Sequence, residues 1–212
     1  MLTLYTTALS ANGRKPLAVA RHLGLEVDVR EVNVYRGDGA TSRYRAVNPF
    51  GKIPTLVDGE LVLWESNAIA RYLDEAYGDG ALSGRGPVER ATIGRWLFWE
   101  AAHWQPAMGR ILAPIVGHRV RPDAIPPPSA APDWRDPALA PLLTFLEGQL
   151  AEERWLALDR LTLADLVVAA MMTYAAIASF PAAAYPAVRR WYAEVAALDA
   201  WRRSAHPLWE RY

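Results

Sequence analysis

Apolar and polar residues alternate in short runs through the first third of the chain, then recur at helical spacing beyond residue 88. Residues 2–5 are a brief run of strand formers. Residues 12–23 place Leu17, Ala18, Ala20 and Leu23 at helical intervals, with Pro16 tolerable near the first turn and Gly24 as the stop. Over residues 26–35, Val27, Val29, Val32 and Val34 alternate with charges, which predicts a second strand with a bulge. Strand, helix and strand at this spacing form a βαβ unit with a right-handed crossover. Gly37, Asp38 and Gly39 mark a turn, and residues 41–46 a short polar helix or coil. Two further strands, 55–57 and 61–63, flank Asp58-Gly59, a hairpin signal because both central residues of such a turn take φ > 0. Residues 66–77 predict a helix with Ile69, Ala70, Leu73 and Ala76 on its buried face. Residues 1–77 thus read as an α/β domain, βαβ followed by ββα.

Gly78, Gly80, Gly84, Gly86 and Pro87 crowd residues 78–87, which therefore read as a linker. Residues 88–212 then read as an all-α domain. A long helical pattern covers about 88–116 and carries Trp96, Trp99, Trp104 and Met108. Prolines from Pro122 to Pro137 make an irregular loop, and helices follow at about 137–154, 162–178 and 185–198. All nine tryptophans except Trp64 lie in this half. The longest uncharged run, 166–188, holds Pro181 and Pro186 and reads as a buried helix and a turn. A membrane span needs about 20 consecutive, mostly apolar helical residues.

Composition narrows the chemistry. Of 212 residues, 52% are hydrophobic and 22% charged, enough to bury a core. Lys plus Arg (23) equals Asp plus Glu (23), so no global field draws nucleic acid or an anionic membrane, and neither is expected as a partner. The absence of cysteine removes disulfides, thiolate-ligated zinc, iron–sulfur sites and any cysteine nucleophile. It is compatible with a reducing cytosol, and the N-terminus lacks the apolar core of a signal peptide, so a cytoplasmic protein is expected. His22, His103, His118 and His206 show no metal-ligand spacing, and no metal is expected.

The candidate chemistry gathers in residues 48–73 and at the end of the first strand. Pro54 cannot donate to a sheet ladder and so sits at a strand start or edge, with either an ordinary trans bond or a cis bond at a sharp turn. Ser66 opens a helix directly after a strand. It is either a plain N-cap or part of an anion site at the helix's positive end. Ser10 stands at a strand-to-helix junction with Asn12 two residues on. Thr162 and Asp165 have the spacing of a capping box.

The stretch NPFGKIPTLVDGELVLWESNAIARYL resembles the glutathione-binding segment of the cytosolic glutathione S-transferases, and the order of domains around it fits that family too. The resemblance implies a thioredoxin-like first domain, a cis Pro54, and an Ile53 backbone paired with the cysteinyl part of glutathione. It also implies that Glu65 and Ser66 hold the γ-glutamyl end, with Lys52 near the glycyl carboxylate; Arg43 and Arg45 lie nearby, and the family pattern fixes neither. Glutathione must react as a thiolate, while a thiol of pKa about 8.5 is mostly protonated at pH 7. A hydroxyl donor and a helix N-terminus favour the anion. Ser10 resembles the serine that does this in the theta, zeta and phi-like classes, with Asn12 as a second donor and Tyr5 and Thr7 as competing hydroxyls.

In the family the long first helix of the second domain lines the electrophile pocket, so Trp104 and Met108, within the stripe of Trp99, His103 and Ile111, are the pocket candidates. Trp201, Trp209 and Tyr212 either pack over the pocket or close the domain. The implied protein is a homodimeric detoxifying transferase that joins glutathione, its co-substrate, to small hydrophobic electrophiles. A non-catalytic binding module, or a glutathione-dependent isomerase, dehalogenase or peroxidase, is the alternative on the same site.

Overall fold

A computed structural model describes residues 1–209. Four strands, β1 (Leu2–Thr6), β2 (Val27–Glu31), β3 (Thr55–Asp58) and β4 (Leu61–Trp64), form one mixed sheet in the order β2-β1-β3-β4. β1 pairs β2 in parallel from Leu2↔Val27 to Thr6↔Glu31, and pairs β3 antiparallel with Tyr5 opposite Thr55. Helix α1 (Ala11–His22) makes the crossover, α2 (Ser42–Arg45) is a single turn capped by the Thr41 side chain, and α3 (Ser66–Tyr77) packs against α1. Leu4 and Leu56 from the sheet, Ala18 and Val19 from α1, and Ile69 and Leu73 from α3 are fully buried and form the core of this half.

Three local expectations change. β2 ends at Glu31, and Val34–Arg36 turns into a 3-10 helix that left-handed Gly37 terminates, so Val34 leaves the alternating pattern. In the hairpin Asp58 pairs with Leu61, which leaves Gly59-Glu60 as the two-residue turn. Positive φ falls on Gly59 and not on Glu60, as in a type II′ rather than a type I′ turn. On α3, Ala76 is exposed and Asp74 is buried in its place. The Asp74 carboxylate accepts from the N–H groups of Leu82 (3.0 Å) and Ser83 (2.6 Å), tying the segment after α3 back onto the helix. A buried carboxylate is tolerable only with such donors.

The second half is helical: α4 (Pro87–Trp99), α5 (Gln105–Val120), α6 (Ala140–Glu152), α7 (Leu163–Ala169), α8 (Pro186–Ala197) and α9 (Asp199–Arg203). The single long helix expected at its start is interrupted by a π-helical turn, Glu100–Trp104, and α7 tightens into a 3-10 segment, Ala170–Tyr174. The Asp165 carboxylate accepts from the Thr162 N–H (2.9 Å) and hydroxyl (3.0 Å), completing the anticipated helix start. It also accepts from the Leu156 N–H (2.9 Å) and the Trp191 indole (3.0 Å). No helix among the described residues is long and apolar enough to cross a membrane.

Two buried cations of α1 join the halves. Arg14 donates to the Ser204 hydroxyl (3.1 Å), the Thr173 hydroxyl (2.9 Å) and the Trp201 carbonyl (2.7 Å), and its guanidinium lies 4.0 Å from the centre of the Trp201 ring. Lys15 meets Glu100 of the π turn at 2.8 Å, both side chains being almost wholly buried.

Candidate active-site cleft between the two halves

Ser10 ends the connection from β1 and caps α1, with extended backbone angles and its Oγ accepting from the Gly13 N–H at 3.3 Å. An oxygen that accepts this bond keeps its own proton to donate. Residue 13 must be glycine for the helix to start here: a Cβ would stand 2.2 Å from Thr6 Oγ1 and 2.7 Å from the Thr7 carbonyl. The first turn of α1 carries no acidic residue to offset its positive end.

Across from α1, the loop before β3 is pinned from beneath. The Lys52 carbonyl accepts from the Tyr44 hydroxyl (2.6 Å) and Asn48 Nδ2 (2.8 Å), while Asn48 Oδ1 accepts from the Phe50 N–H (3.0 Å). Asn48 is buried, so these bonds fix the loop's shape and leave the Lys52 side chain exposed at its edge. The Ile53–Pro54 peptide is cis. After β4 the chain turns through Glu65 at φ 73° and ψ 113°, an unusual backbone for a residue with a side chain. The N-cap of α3 is therefore Glu65, and Ser66 is the first helical residue rather than the cap. Its N–H belongs to the first turn, whose N–H groups lack intrahelical partners.

These segments enclose two adjoining clefts. A polar one of about 310 Å³ is lined by Asn12, Lys52, Ile53, Pro54, Glu65 and Ser66, together with Asn48, Phe50, Trp64 and Gln105. An apolar one of about 220 Å³ is lined by Ser10, Asn12, Tyr35, Met171 and Tyr174 and by one face of α5: Gln105, Gly109, Leu112, Ala113 and Val116. Asn12 and Gln105 border both. Asn12 Oδ1 is buried and accepts no hydrogen bond from any described residue, so it is an acceptor free for a ligand's donor.

The structure brings Ser10, Asn12, Lys52, Ile53, Pro54, Glu65 and Ser66 around this space. Trp104 and Met108 are not part of it. Both are 0% exposed, Trp104 donating its indole N–H to the Val168 carbonyl (3.1 Å) and stacking on Trp99. The π turn is the physical reason: its wider turn breaks the 3.6-residue phase extrapolated from α4, and the face of α5 that reaches the cleft is set by Gln105 and Gly109. The Tyr5 hydroxyl accepts from Arg30 (3.2 Å) and borders a separate hollow with Arg30 and Arg43, away from Ser10. Thr7 is buried and accepts from the Leu9 N–H, and Arg45 lies beside Gly51. Trp201 closes the domain under Arg14, while Trp209 packs edge-on to Tyr174 of the cleft wall (4.9 Å). Tyr212 lies outside the described residues. No group of metal-ligating side chains occurs among the described residues.

Sequence reasoning missed Lys15, Glu100, Gln105, Tyr35 and Tyr174. Lys15 Nζ donates to Glu100 Oε1 (2.8 Å) and Asn67 Oδ1 (3.1 Å) and lies 3.5 Å from Ser66 Oγ, beneath the start of α3. Burial lowers its pKa, and the Glu100 carboxylate opposes that shift. A signal existed: Lys15 lies four residues from Ala11 and three from Ala18, on the apolar face of α1, where an unpaired charge is untenable.

Comparison with known proteins agrees with this geometry. The family model for the glutathione S-transferase N-terminal domain matches residues 1–75, and that for the C-terminal domain matches residues 103–199. The chain is 34% identical over 192 residues to glutathione S-transferase D7 of Drosophila melanogaster, covering 90% of this chain and 82% of that one. It is 32% identical over 207 residues to glutathione S-transferase 3 of Zea mays, covering 96% and 92%. Glutathione transferase F2 from Populus trichocarpa superposes with a TM-score of 0.85 at 26% identity, over 96% of this chain and 97% of that one. A delta-class glutathione transferase of Nilaparvata lugens gives a TM-score of 0.84 at 26% identity, over 99% and 95%. This chain, with its mixed-sheet first domain and helical second domain, belongs to the glutathione S-transferase family.

Proposed function

We propose that the protein joins the sulfur of glutathione to a small hydrophobic electrophile, with Ser10 as the hydroxyl that holds the sulfur as a thiolate. The observation that carries this reading is the pair of clefts meeting at Asn12 and Gln105, one polar and peptide-sized, one apolar, with Ser10 in the wall of the apolar one, two residues from Asn12. The tripeptide lies in the polar cleft. Its glutamyl carboxylate meets Ser66 and the positive end of α3, its cysteinyl backbone meets Ile53 beside Pro54, and its glycyl carboxylate meets Lys52. Glu65 takes the glutamyl ammonium, and Asn12 offers the cleft both a donor and an acceptor.

The Ser10 hydroxyl donates to the sulfur while the N-terminus of α1 adds its positive potential, and both favour the anion over the thiol. The thiolate then forms a carbon–sulfur bond with an electrophile held in the apolar cleft; in a substitution the leaving group departs with its electron pair, as chloride does from a chloroarene, and in an addition the acceptor takes the pair and a proton from solvent. No prosthetic group enters this step.

In Ser10→Ala the thiol of bound glutathione should titrate close to its free value of about 8.5. Conjugation with 1-chloro-2,4-dinitrobenzene at neutral pH should fall by about 10²-fold or more, the scale of a lost oxyanion donor. An unchanged thiol pKa together with full activity would sink the assignment of Ser10.

We also propose a two-fold homodimer. Phe50 is 61% exposed with Trp64 edge-on against it, and Phe98, at 77%, borders a further hollow lined by Lys15, Glu65 and Glu100. The family to which the chain belongs suggests the dimer, and the exposed Phe50–Trp64 pair is surface that a second copy would cover. Light scattering should give twice the 23.5 kDa chain mass. A monomer at micromolar concentration would reject this arrangement.

A further inference from the structure

Tyr174 ends the 3-10 segment of the helical half, yet its hydroxyl is spent on the first half. It donates to the Leu9 carbonyl at 2.9 Å and accepts from the Ala11 N–H at 2.8 Å, both bonds buried. Leu9 and Ala11 are the residues on either side of Ser10. We infer that Tyr174 is a positioning residue for Ser10, clasping the backbone before and after it so that the Ser10 hydroxyl is aimed where the sulfur binds; the inference rests on the role proposed for Ser10.

The nearer ties are local: the Thr7 hydroxyl accepts from the Leu9 N–H (3.3 Å) and the Thr7 carbonyl from the Ser10 N–H (3.1 Å), and Tyr174 adds a tie from the helical half. The Ser10 side chain is tied to the Gly13 N–H within its own helix. The Ala11 N–H is one of the first N–H groups of α1, which have no intrahelical partner. The clasp is itself held at two points. The Trp209 ring packs edge-on to the Tyr174 ring, and the adjacent Thr173 hydroxyl accepts from Arg14 of α1. Burial pushes the Tyr174 phenol well above its ordinary range, so it stays a neutral donor toward Leu9 at any working pH.

The same ring lines the apolar cleft with Met171 and Ser10. An electrophile seated there therefore touches the group that aims the thiolate's donor, which links occupation of one cleft to sulfur activation in the other. A chain whose helical half is displaced loses the clasp together with the pocket.

The test uses Tyr174→Phe, which keeps the ring against Trp209 and removes only the hydroxyl. The thiol pKa of bound glutathione should rise by roughly one unit, and kcat should fall about tenfold, with KM for glutathione little changed. In the double variant Ser10→Ala/Tyr174→Phe the loss should be no greater than in Ser10→Ala alone, because both changes act through one group. A wild-type thiol pKa in folded Tyr174→Phe overturns the inference, as do losses that multiply in the double variant. A fully active Ser10→Ala is a different failure, that of the reading beneath. Amide exchange in the unmutated protein decides the matter even if Tyr174→Phe does not fold. Ala11 should be protected like the core of α1, and exchange as fast as in an exposed first turn shows that no clasp exists.

Discussion

Met108 and Gly109 are neighbours in α5 with opposite surroundings, since one residue of helix is a rotation of about 100°. Met108 is sealed in the core, while a Cβ at Gly109 would meet nothing within 4 Å and point into open space on the cleft face. A mid-helix glycine costs about 1 kcal/mol relative to alanine, so this one is a local weakness that keeps the apolar cleft deep. Gly109→Leu should leave the melting temperature unchanged or raised, increase KM for bulky electrophiles several-fold, and spare KM for glutathione. Met108→Leu should alter stability by less than about 1.5 kcal/mol and change neither constant. Equal KM values across electrophile sizes in Gly109→Leu would show that this cleft does not seat the substrate. Periodicity cannot choose between the two residues, because this helix is apolar on the face toward the core and on the face toward the cleft.

At the scale of elements, the capping box at α7 shows how a local signal gains weight from tertiary partners. Thr162 and Asp165 are readable from spacing alone, and a lost cap costs about 0.5–2 kcal/mol. The Leu156 N–H and the Trp191 indole are not in that spacing, and they bring two more donors to the same carboxylate. Asp165→Ala would strand all of them in a fully buried place. Denaturant unfolding should then register a loss of about 3–5 kcal/mol, larger than a cap alone. A loss inside the single-cap range would mean that the long-range bonds contribute nothing net. The π turn belongs to the same scale: it re-phases α5 against α4, and nothing in the apolar pattern of residues 88–116 announces it.

For the molecule as a whole, the joint between the halves is polar where it lies beneath the start of α3. Lys15 and Glu100 come from different halves, are 85 residues apart, and meet almost without solvent. Breaking a buried pair on one side leaves an uncompensated charge, whereas replacing both partners by apolar groups is often tolerated. Lys15→Met should cost about 3–5 kcal/mol in chemical denaturation, and Lys15→Met/Glu100→Met should recover most of it. A double variant as unstable as the single one would show that the pair's other bonds, to Asn67 and toward Ser66, carry the stabilisation.

What depends on a few adjacent residues was legible in the chain. The strand and helix order, Gly59 in the hairpin turn, Ser10 at the head of α1 and the loop leading to Pro54 are dictated by backbone conformation and local spacing. The residues of 48–73 that the family resemblance singled out lie together in one polar cleft, because its wall is largely a single loop and the start of α3. Tertiary structure alone decided which face of α5 meets the cleft, why Lys15 can be buried, and that Tyr174, 163 residues from Ala11, holds the backbone around Ser10. Those outcomes are pairings between distant segments. A distant partner leaves no trace in local periodicity beyond a charge or a hydroxyl on a face that should be apolar, and packing is what selects it.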